Sequence, residues 1–167
     1  RQLALLFKSW YTKRVDLVLF TNISYREFWM NAYKLKAPTE VIANYPKIQP
    51  LIYNNRMRDE LGIHNDDSVA LYSGLLSPGR SLEMIVESAR WFLPNQKLVL
   101  VGRGTLLPNL KKIIDQFNLQ NTVIIRPMLP YEELINYCSS ANLGLIIIED
   151  INISKYFALA NKLTEYM

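Results

Sequence analysis

Residues 97–104, with the sequence Lys-Leu-Val-Leu-Val-Gly-Arg-Gly, decide the fold of this chain. The apolar run from Lys97 to Val101 predicts a buried strand, and the turn Gly102-Arg103-Gly104 ends it. Apolar residues then recur at helical spacing, at Leu107, Leu110, Ile113, Ile114 and Phe117. The stretch therefore predicts one β-α unit, in which a glycine turn joins a strand to an amphipathic helix.

The same pattern recurs on both sides of this unit. Apolar strands are predicted at residues 69–72, 122–125 and 143–148, and amphipathic helices at 82–92 and 134–141. The last of these strands is continuous and β-branched, as expected for a strand that is buried on both faces. Because strands and helices alternate with short links, the sequence predicts an α/β fold with a Rossmann-like parallel sheet flanked by helices.

The carboxyl ends of the predicted strands form the edge at which such a sheet binds ligands. Gly74 ends the first strand, and residues 78–80 (Pro-Gly-Arg) form the loop before the next helix. Free N–H groups at a helix start favour an anion, and Arg80 adds a planar charge suited to phosphate. Gly102 and Gly104 allow a backbone to approach a ligand closely. Ordinary β-α turns with a solvated arginine are the alternative explanation for both loops.

Two further segments follow the third and fourth strands. The loop Arg126-Pro127-Met128-Leu129-Pro130 is stiffened by two prolines, and it either presents backbone groups to a nucleotide base or is a plain rigid turn. Lys162 and Glu165 are three residues apart and share a helix face, at the place where the ligand crevice is expected. A surface ion pair between these two side chains is the alternative.

The first 66 residues have a different organisation. They predict a helix at 2–13, a strand at 16–20, an aromatic-rich helix at 25–35 and a short strand at 40–43. These strands are too few to build a core of their own. We therefore expect residues 1–46 to be the last β-α-β piece of a preceding Rossmann-like domain, and 47–66 to be a linker with a short helix at 54–62. Residues 67–167 are then the second domain.

Composition bounds the functional classes. A net charge of +4 in 167 residues suits an anionic ligand, but no basic run with interleaved aromatics suggests nucleic acid. No apolar run reaches the roughly 20 residues of a membrane span. The single cysteine, Cys138, cannot form an intrachain disulfide and fits a reducing, cytoplasmic compartment. The single histidine, His64, has no second histidine to share a metal site.

Five motifs between about Arg58 and Met167 resemble, in the right order, those of the C-terminal half of GT-B glycosyltransferases. The family is the large retaining one that includes capsule, lipopolysaccharide and mannosyl transferases. P-G-R-S-L-E (78–83) resembles its x-K-G-L-E loop, and A-L-A-N-K-L-T-E-Y-M (158–167) resembles A-L-P-N-K-L-F-E-Y-M. V-I-I-R-P-M-L-P-Y-E-E-L (123–134) resembles V-x-F-x-G-x-V-P-x-E-E-L. V-A-L-Y-S-G and L-V-G-R-G resemble the family's entry into its second domain and its second glycine turn.

The resemblance implies that the chain binds a nucleotide-diphosphate sugar linked to UDP or GDP. It places Arg80 at the family's phosphate-binding lysine, Lys162 near the donor phosphates, and Glu165 at the ribose-binding glutamate. The expected donor-binding set is Gly74, Arg80, Gly102, Gly104, Arg126, Met128, Asn161, Lys162, Leu163 and Glu165. No residue pattern calls for a metal or a cofactor. Catalytic residues are not identified, because those that the family carries in its N-terminal domain are not in this chain.

Three departures from the family pattern stand out. The first of the two glutamates that many relatives carry falls at Phe157, the arginine that often follows the first glycine is Leu75, and the proline of P-N-K is Ala160. The missing glutamate leaves the stereochemical outcome of transfer open. Since the chain starts at Arg1 and stops within a motif, we also expect it to be truncated at both ends and inactive on its own.

The expected function is transfer of a sugar from the nucleotide donor to a glycan or lipid-linked acceptor, in glycan or cell-surface polysaccharide synthesis. A Rossmann-like nucleotide-binding module without chemistry, or a GT-B nucleotide-sugar epimerase, are the alternatives. The aromatic, basic start, with Lys8, Trp10, Tyr11, Lys13 and Arg14, is compatible with peripheral contact at the inner face of a membrane. An ordinary amphipathic helix is the favoured interpretation of that segment.

Overall fold

The computed structural model describes residues 14–43, 45, 50, 52–157 and 166. These residues divide into two compact units. The first unit contains 14–43, Tyr45 and Phe157, and the second contains Pro50, 52–156 and Tyr166. The helix predicted at 2–13 lies outside the described residues.

The first unit is a small β-α-β motif, as the sequence predicts. Strand β1 (Val18–Phe20) and strand β2 (Thr39–Val41) pair in parallel, and helix α1 (Ile23–Tyr33) connects them. Asn22 begins the helix because its side-chain oxygen accepts a hydrogen bond from the Tyr25 N–H at 2.8 Å. The rings around α1 form an aromatic cluster of Phe20, Tyr25, Phe28, Trp29, Tyr33 and Phe157.

The second unit is built on a four-stranded parallel sheet with the order β5-β4-β3-β6. Its strands are β3 (Ser68–Leu75), β4 (Gln96–Arg103), β5 (Val123–Arg126) and β6 (Leu143–Gly144). Its helices are α2 (Arg56–Leu61), α3 (Leu82–Ser88), α4 (Leu107–Gln116), α5 (Tyr131–Cys138) and α6 (Ile153–Tyr156), with a 3-10 turn at Ala89–Trp91. β1 pairs only with β2 among the described strands, so it is not part of this sheet.

Both faces of the central strands are covered, which is why β3 and β4 are almost continuously apolar. Side chains alternate between the faces along a strand. On β4, Leu98 and Leu100 pack into a cluster with Leu82, Val86 and Leu110 from α3 and α4. On the other face, Val99 and Val101 pack into a cluster with Met57, Leu134 and Tyr137 from α2 and α5. The doubly covered parallel sheet confirms the predicted fold class.

The fourth strand differs from the prediction. Instead of spanning 143–148 and being buried on both faces, β6 covers only Leu143–Gly144, and Leu143 is 57% exposed. In the described sheet β6 lies at an edge, and β3 is the strand with which it pairs. Backbone pairing continues to the Leu145 N–H, which donates to the Leu71 carbonyl at 2.7 Å. Without a described strand on its outer side, the β-branched run beyond this point is only partly buried.

Arg58 holds the amino edge of the sheet. Although it is charged, it is only 4% exposed. Its guanidinium donates to the carbonyls of His64 at 2.7 Å, Asp67 at 3.0 Å and Ser140 at 3.1 Å, and to the Asn142 side-chain oxygen at 3.0 Å. Those residues immediately precede β3 and β6, so one side chain fixes the entry of both strands.

Candidate functional site

The predicted glycine turns begin inside the sheet: Gly74 is in the last two residues of β3, and Gly102 and Arg103, predicted as part of a turn, are the last residues of β4. Gly74 and Gly102 are opposite each other in the sheet register. A Cβ atom on Gly102 would overlap the Gly74 carbonyl oxygen, and one on Gly104 would overlap the Leu76 carbonyl oxygen. Both glycines are therefore required by the close approach of two backbones. The part of their predicted role that concerns a ligand stays a prediction.

Arg80 lies in the loop after β3, and its guanidinium contacts the hydroxyl of the buried Tyr72. The Tyr72 hydroxyl donates to the Leu75 carbonyl at 2.9 Å. Burial raises the pKa of Tyr72, while the charge of Arg80 and its hydrogen bond to the hydroxyl act in the opposite direction. The Nε atom of Arg80 is buried and has no hydrogen-bond partner within the part of the chain that the structure describes. A buried donor of this kind needs an acceptor that the described residues do not supply, such as an ordered water molecule or a ligand oxygen.

The loop that carries Arg80 is fastened to the segment after β6. The Glu149 carboxylate accepts from the Ser81 N–H at 2.8 Å and from the Ser81 hydroxyl at 3.0 Å. The Glu149 N–H in turn donates to the Gly79 carbonyl at 3.2 Å. Residues on either side of Arg80 are thus held by a single glutamate.

Arg126 ends β5 and is engaged with protein groups. Its guanidinium forms an ion pair with Glu60 at 3.2 Å and lies 6.0 Å from the centre of the Tyr137 ring. Glu60 also accepts from Arg56 at 2.8 Å, and Arg56 pairs with Glu133 at 2.9 Å. Hydrogen bonds from Arg56 first, and also from Arg126, lower the pKa of the Glu60 carboxyl. This chain of charges ties the end of β5 to α2 and α5; Met128 follows in the loop, half-buried.

The most informative motif of the sequence is only partly described. Asn161, Lys162, Leu163 and Glu165 lie outside the described residues, so their predicted contacts with phosphate and ribose stay predictions. Tyr166 is described: its hydroxyl accepts from the Ser73 N–H at 3.0 Å and lies 3.1 Å from the Ser73 hydroxyl. A side chain on Gly144 would overlap the Tyr166 ring. Tyr166 is therefore anchored where β3 and β6 lie side by side.

Phe157, where the motif resemblance places a glutamate in many relatives, packs in the aromatic cluster of the first unit. Its ring stacks on Tyr25 with 5.6 Å between ring centres and lies 5.2 Å from Phe28. Asn22 Nδ2 donates to the Phe157 carbonyl at 2.8 Å. An apolar ring with these neighbours stabilises the unit, and its side chain has no atom that could exchange a proton.

Sequence reasoning missed three contributors to this edge. It gave no role at this edge to Tyr72, although the hydroxyl contacts the site arginine. It gave none to Glu149 or Tyr166 either. The available signal was position, since Tyr72 ends one predicted strand and Glu149 directly follows another, both at the ligand edge.

No helix in the described ranges is long and apolar enough to cross a membrane. Within the same ranges no group of three or more potential metal-ligating side chains occurs.

A parallel sheet covered by helices, with glycine turns and an arginine at its carboxyl edge, defines a Rossmann-like α/β protein. The family described as Glycosyl transferases group 1 matches residues 54–146. The chain belongs to this family, which confirms the resemblance seen in its motifs. A comparison with curated proteins found no match.

Solved structures with the same fold include sucrose-phosphate synthase from Thermosynechococcus elongatus. It has 19% sequence identity and a TM-score of 0.70, over 87% of this chain and 38% of that one. HepE from Anabaena, solved with UDP and glucose, has 17% identity and a TM-score of 0.64, over 89% and 42%. S. aureus TarM, solved with UDP, has 14% identity and a TM-score of 0.65, over 80% and 25%. The chain thus spans less than half the length of these proteins.

Proposed function

We propose that this chain provides the donor side of a glycosyltransferase. It binds a nucleotide-diphosphate sugar at the carboxyl edge of the four-stranded sheet, and the sugar passes to a glycan or lipid-linked acceptor. The observation that carries the proposal is Arg80, whose buried Nε lacks an acceptor among the described residues while Tyr72 holds the side chain at this edge. Membership of the family supports the same conclusion.

The proposed chemistry follows from charge. Breaking the bond between sugar and diphosphate leaves additional negative charge on the nucleotide, and preorganised cations and N–H donors stabilise that charge. Arg80 supplies a planar donor suited to phosphate oxygens. In the proposal Lys162 adds a second positive charge, and Glu165 accepts from the ribose hydroxyls because a carboxylate can take two donors at once.

UDP is the first nucleotide to test, because two of the solved relatives, HepE and TarM, contain it. We expect calorimetry on the full-length protein to show UDP or GDP binding with clear preference over NAD. A preference for NAD would favour a dinucleotide-binding module and contradict the proposal. Binding of UDP or GDP without any sugar transfer would favour a binding module that lacks chemistry.

A product assay separates transfer from epimerisation. With a nucleotide sugar as donor, the proposal predicts free nucleotide diphosphate and a glycosylated acceptor. A donor whose sugar is inverted at one carbon but not consumed would indicate an epimerase instead.

Glu165 provides the sharpest binding test of the transferase site. Glu165→Ala is expected to weaken UDP or GDP by about ten- to a hundredfold, since a hydrogen bond to a charged group contributes roughly 1.5–3 kcal/mol. Lys162→Ala is the matched comparison, because it should weaken the diphosphate but hardly the free nucleoside. Unchanged affinity in both folded variants would mean that the two side chains form only a surface ion pair.

A further inference from the structure

Glu149 holds the Arg80 loop at two points. One carboxylate oxygen, Oε1, accepts both from the Ser81 N–H at 2.8 Å and from the Ser81 hydroxyl at 3.0 Å. The backbone N–H of Glu149 donates to the Gly79 carbonyl at 3.2 Å. The residues on both sides of Arg80 therefore depend on a single residue from the segment that follows the neighbouring edge strand β6.

The loop needs such support because its backbone is unfavourable. Ser81 has φ 48° and ψ 32°, the left-handed region that residues with a Cβ atom rarely adopt, and Gly79 has φ 83°. The Ser81 side chain makes no capping hydrogen bond to the start of helix α3. A conformation of this kind persists only when surrounding contacts over-determine it, and the Glu149 carboxylate makes two of those contacts.

Arg80 inherits its position from this arrangement. Its Cα lies between Gly79 and Ser81, and its guanidinium hydrogen-bonds the Tyr72 hydroxyl. If Ser81 relaxed to an ordinary conformation, the direction of the Arg80 side chain would change. Interactions that depend on fixed geometry are lost when a group shifts by about 1 Å.

We propose that Glu149 is a positioning residue for the diphosphate of the donor, acting through Ser81 and the Arg80 loop. This inference rests on the proposed function, since it assumes that Arg80 faces a phosphate. A negative charge beside a site for an anion opposes binding of that anion. The proposed contribution of Glu149 is therefore its hydrogen bonds from Ser81, and its charge is not needed.

Because a single oxygen accepts both hydrogen bonds, substitutions can separate the acceptor role of Glu149 from its charge. Glutamine keeps a carbonyl oxygen that can take both Ser81 donors, whereas alanine removes the acceptor entirely. We expect Glu149→Ala to weaken UDP by about tenfold and to leave uridine, which lacks the diphosphate, unchanged. Glu149→Gln should bind UDP at least as well as the unaltered protein, because it keeps the acceptor and removes a negative charge.

Calorimetry with UDP, GDP and uridine on the full-length protein tests the proposal. Glu87→Ala is the matched control, because Glu87 is exposed on helix α3 and its loss changes the charge equally. If Glu149→Ala does not fold, Ser81→Ala is measured instead; it removes one of the two donors and is expected to weaken UDP about threefold.

The outcomes are distinct. A selective loss of UDP affinity in Glu149→Ala that Glu149→Gln rescues supports the positioning role. Equal affinities for UDP in all folded variants, or equal losses for UDP and uridine, overturn it and leave the proposed function standing. Absence of UDP and GDP binding by the unaltered protein overturns the proposed function, and the positioning role with it.

Discussion

The two edges of the four-stranded sheet each carry an arginine, and the two are used in opposite ways. Arg58 at the amino edge is buried, and its guanidinium donates to backbone carbonyls and to one side-chain amide. Arg80 at the carboxyl edge meets the Tyr72 hydroxyl, and its buried Nε has no acceptor in the described part of the chain. An arginine with its hydrogen bonds filled stabilises the fold, whereas in the proposed function the unfilled donor of Arg80 binds a ligand.

The difference follows from what parallel strands leave at their ends. At the amino edge, the chain entering β3 and β6 turns carbonyl groups toward one point, and a fixed planar donor can satisfy several at once. At the carboxyl edge, by contrast, the loop after β3 carries Arg80 to the start of helix α3, and the Nε of its guanidinium has no acceptor among the described residues.

Removing Arg58 is expected to have the largest effect. Arg58→Met keeps an apolar side chain of similar length but takes the arginine donor from the Ser140 carbonyl, in a buried contact, and from the Asp67 carbonyl, in a part-buried one. Each such group costs about 1–3 kcal/mol, so the free energy of unfolding should fall by roughly 2–6 kcal/mol. Urea denaturation measures this. A loss below that range would show that water satisfies the carbonyls and that the amino edge does not depend on Arg58.

Close backbone packing at the carboxyl edge also stabilises the fold, and glycine substitutions measure this contribution separately from ligand binding. Gly102→Ala forces a Cβ atom onto the Gly74 carbonyl and should cost roughly 3 kcal/mol, the upper part of the range for overpacking. Gly62→Ala is the matched control, because no atom lies within 4 Å of its Cβ position and the cost of its φ of +66° is only about 1–2 kcal/mol. Denaturation of both variants should rank them in this order. The reverse order would mean that the turns can separate without penalty.

How far the sequence could predict these features depends on the range of the interaction. The apolar runs at 69–72 and 97–101 predicted central strands because burial on both faces leaves a local pattern. The run at 143–148 carries the same pattern, yet β6 is short, since strand length also depends on a neighbour that no local pattern specifies. The hydrogen bonds from Arg58 to Ser140 and Asn142 and the link from Glu149 to Ser81 join residues more than 60 positions apart and leave no periodic signal.

Arg80→Met tests the other half of the comparison. We expect a smaller change in the free energy of unfolding than for Arg58→Met, because Arg80 is only partly buried and its Nε has no acceptor among the described residues. UDP affinity should fall by about ten- to a hundredfold, which corresponds to the roughly 1.5–3 kcal/mol of a hydrogen bond to a charged group, while uridine affinity stays the same. Calorimetry and denaturation on the same samples separate the two quantities. A large loss of stability with unchanged UDP affinity would place Arg80 in the same class as Arg58.

The smallest effect is expected at Glu60, which forms an ion pair with Arg126 at the carboxyl edge. Hydrogen bonds from Arg56 and Arg126 lower the pKa of Glu60 below its ordinary value of 4.5. A carboxyl whose folded pKa is lowered stabilises the protein above its unfolded pKa, and this contribution disappears as the pH falls through the folded pKa. Glu60→Gln should therefore slightly reduce the free energy of unfolding at neutral pH and flatten its decline below about pH 4.5.

Glu87→Gln, which alters an exposed carboxyl on α3, should keep the decline of the unaltered protein. Because these side chains are exposed and screened by water, the difference is small, and denaturation must be followed at closely spaced pH values. Identical pH profiles for the two variants would show that the ion pairs of Arg126 add nothing to stability, so that Arg126 would belong with Arg80 and be open to a ligand.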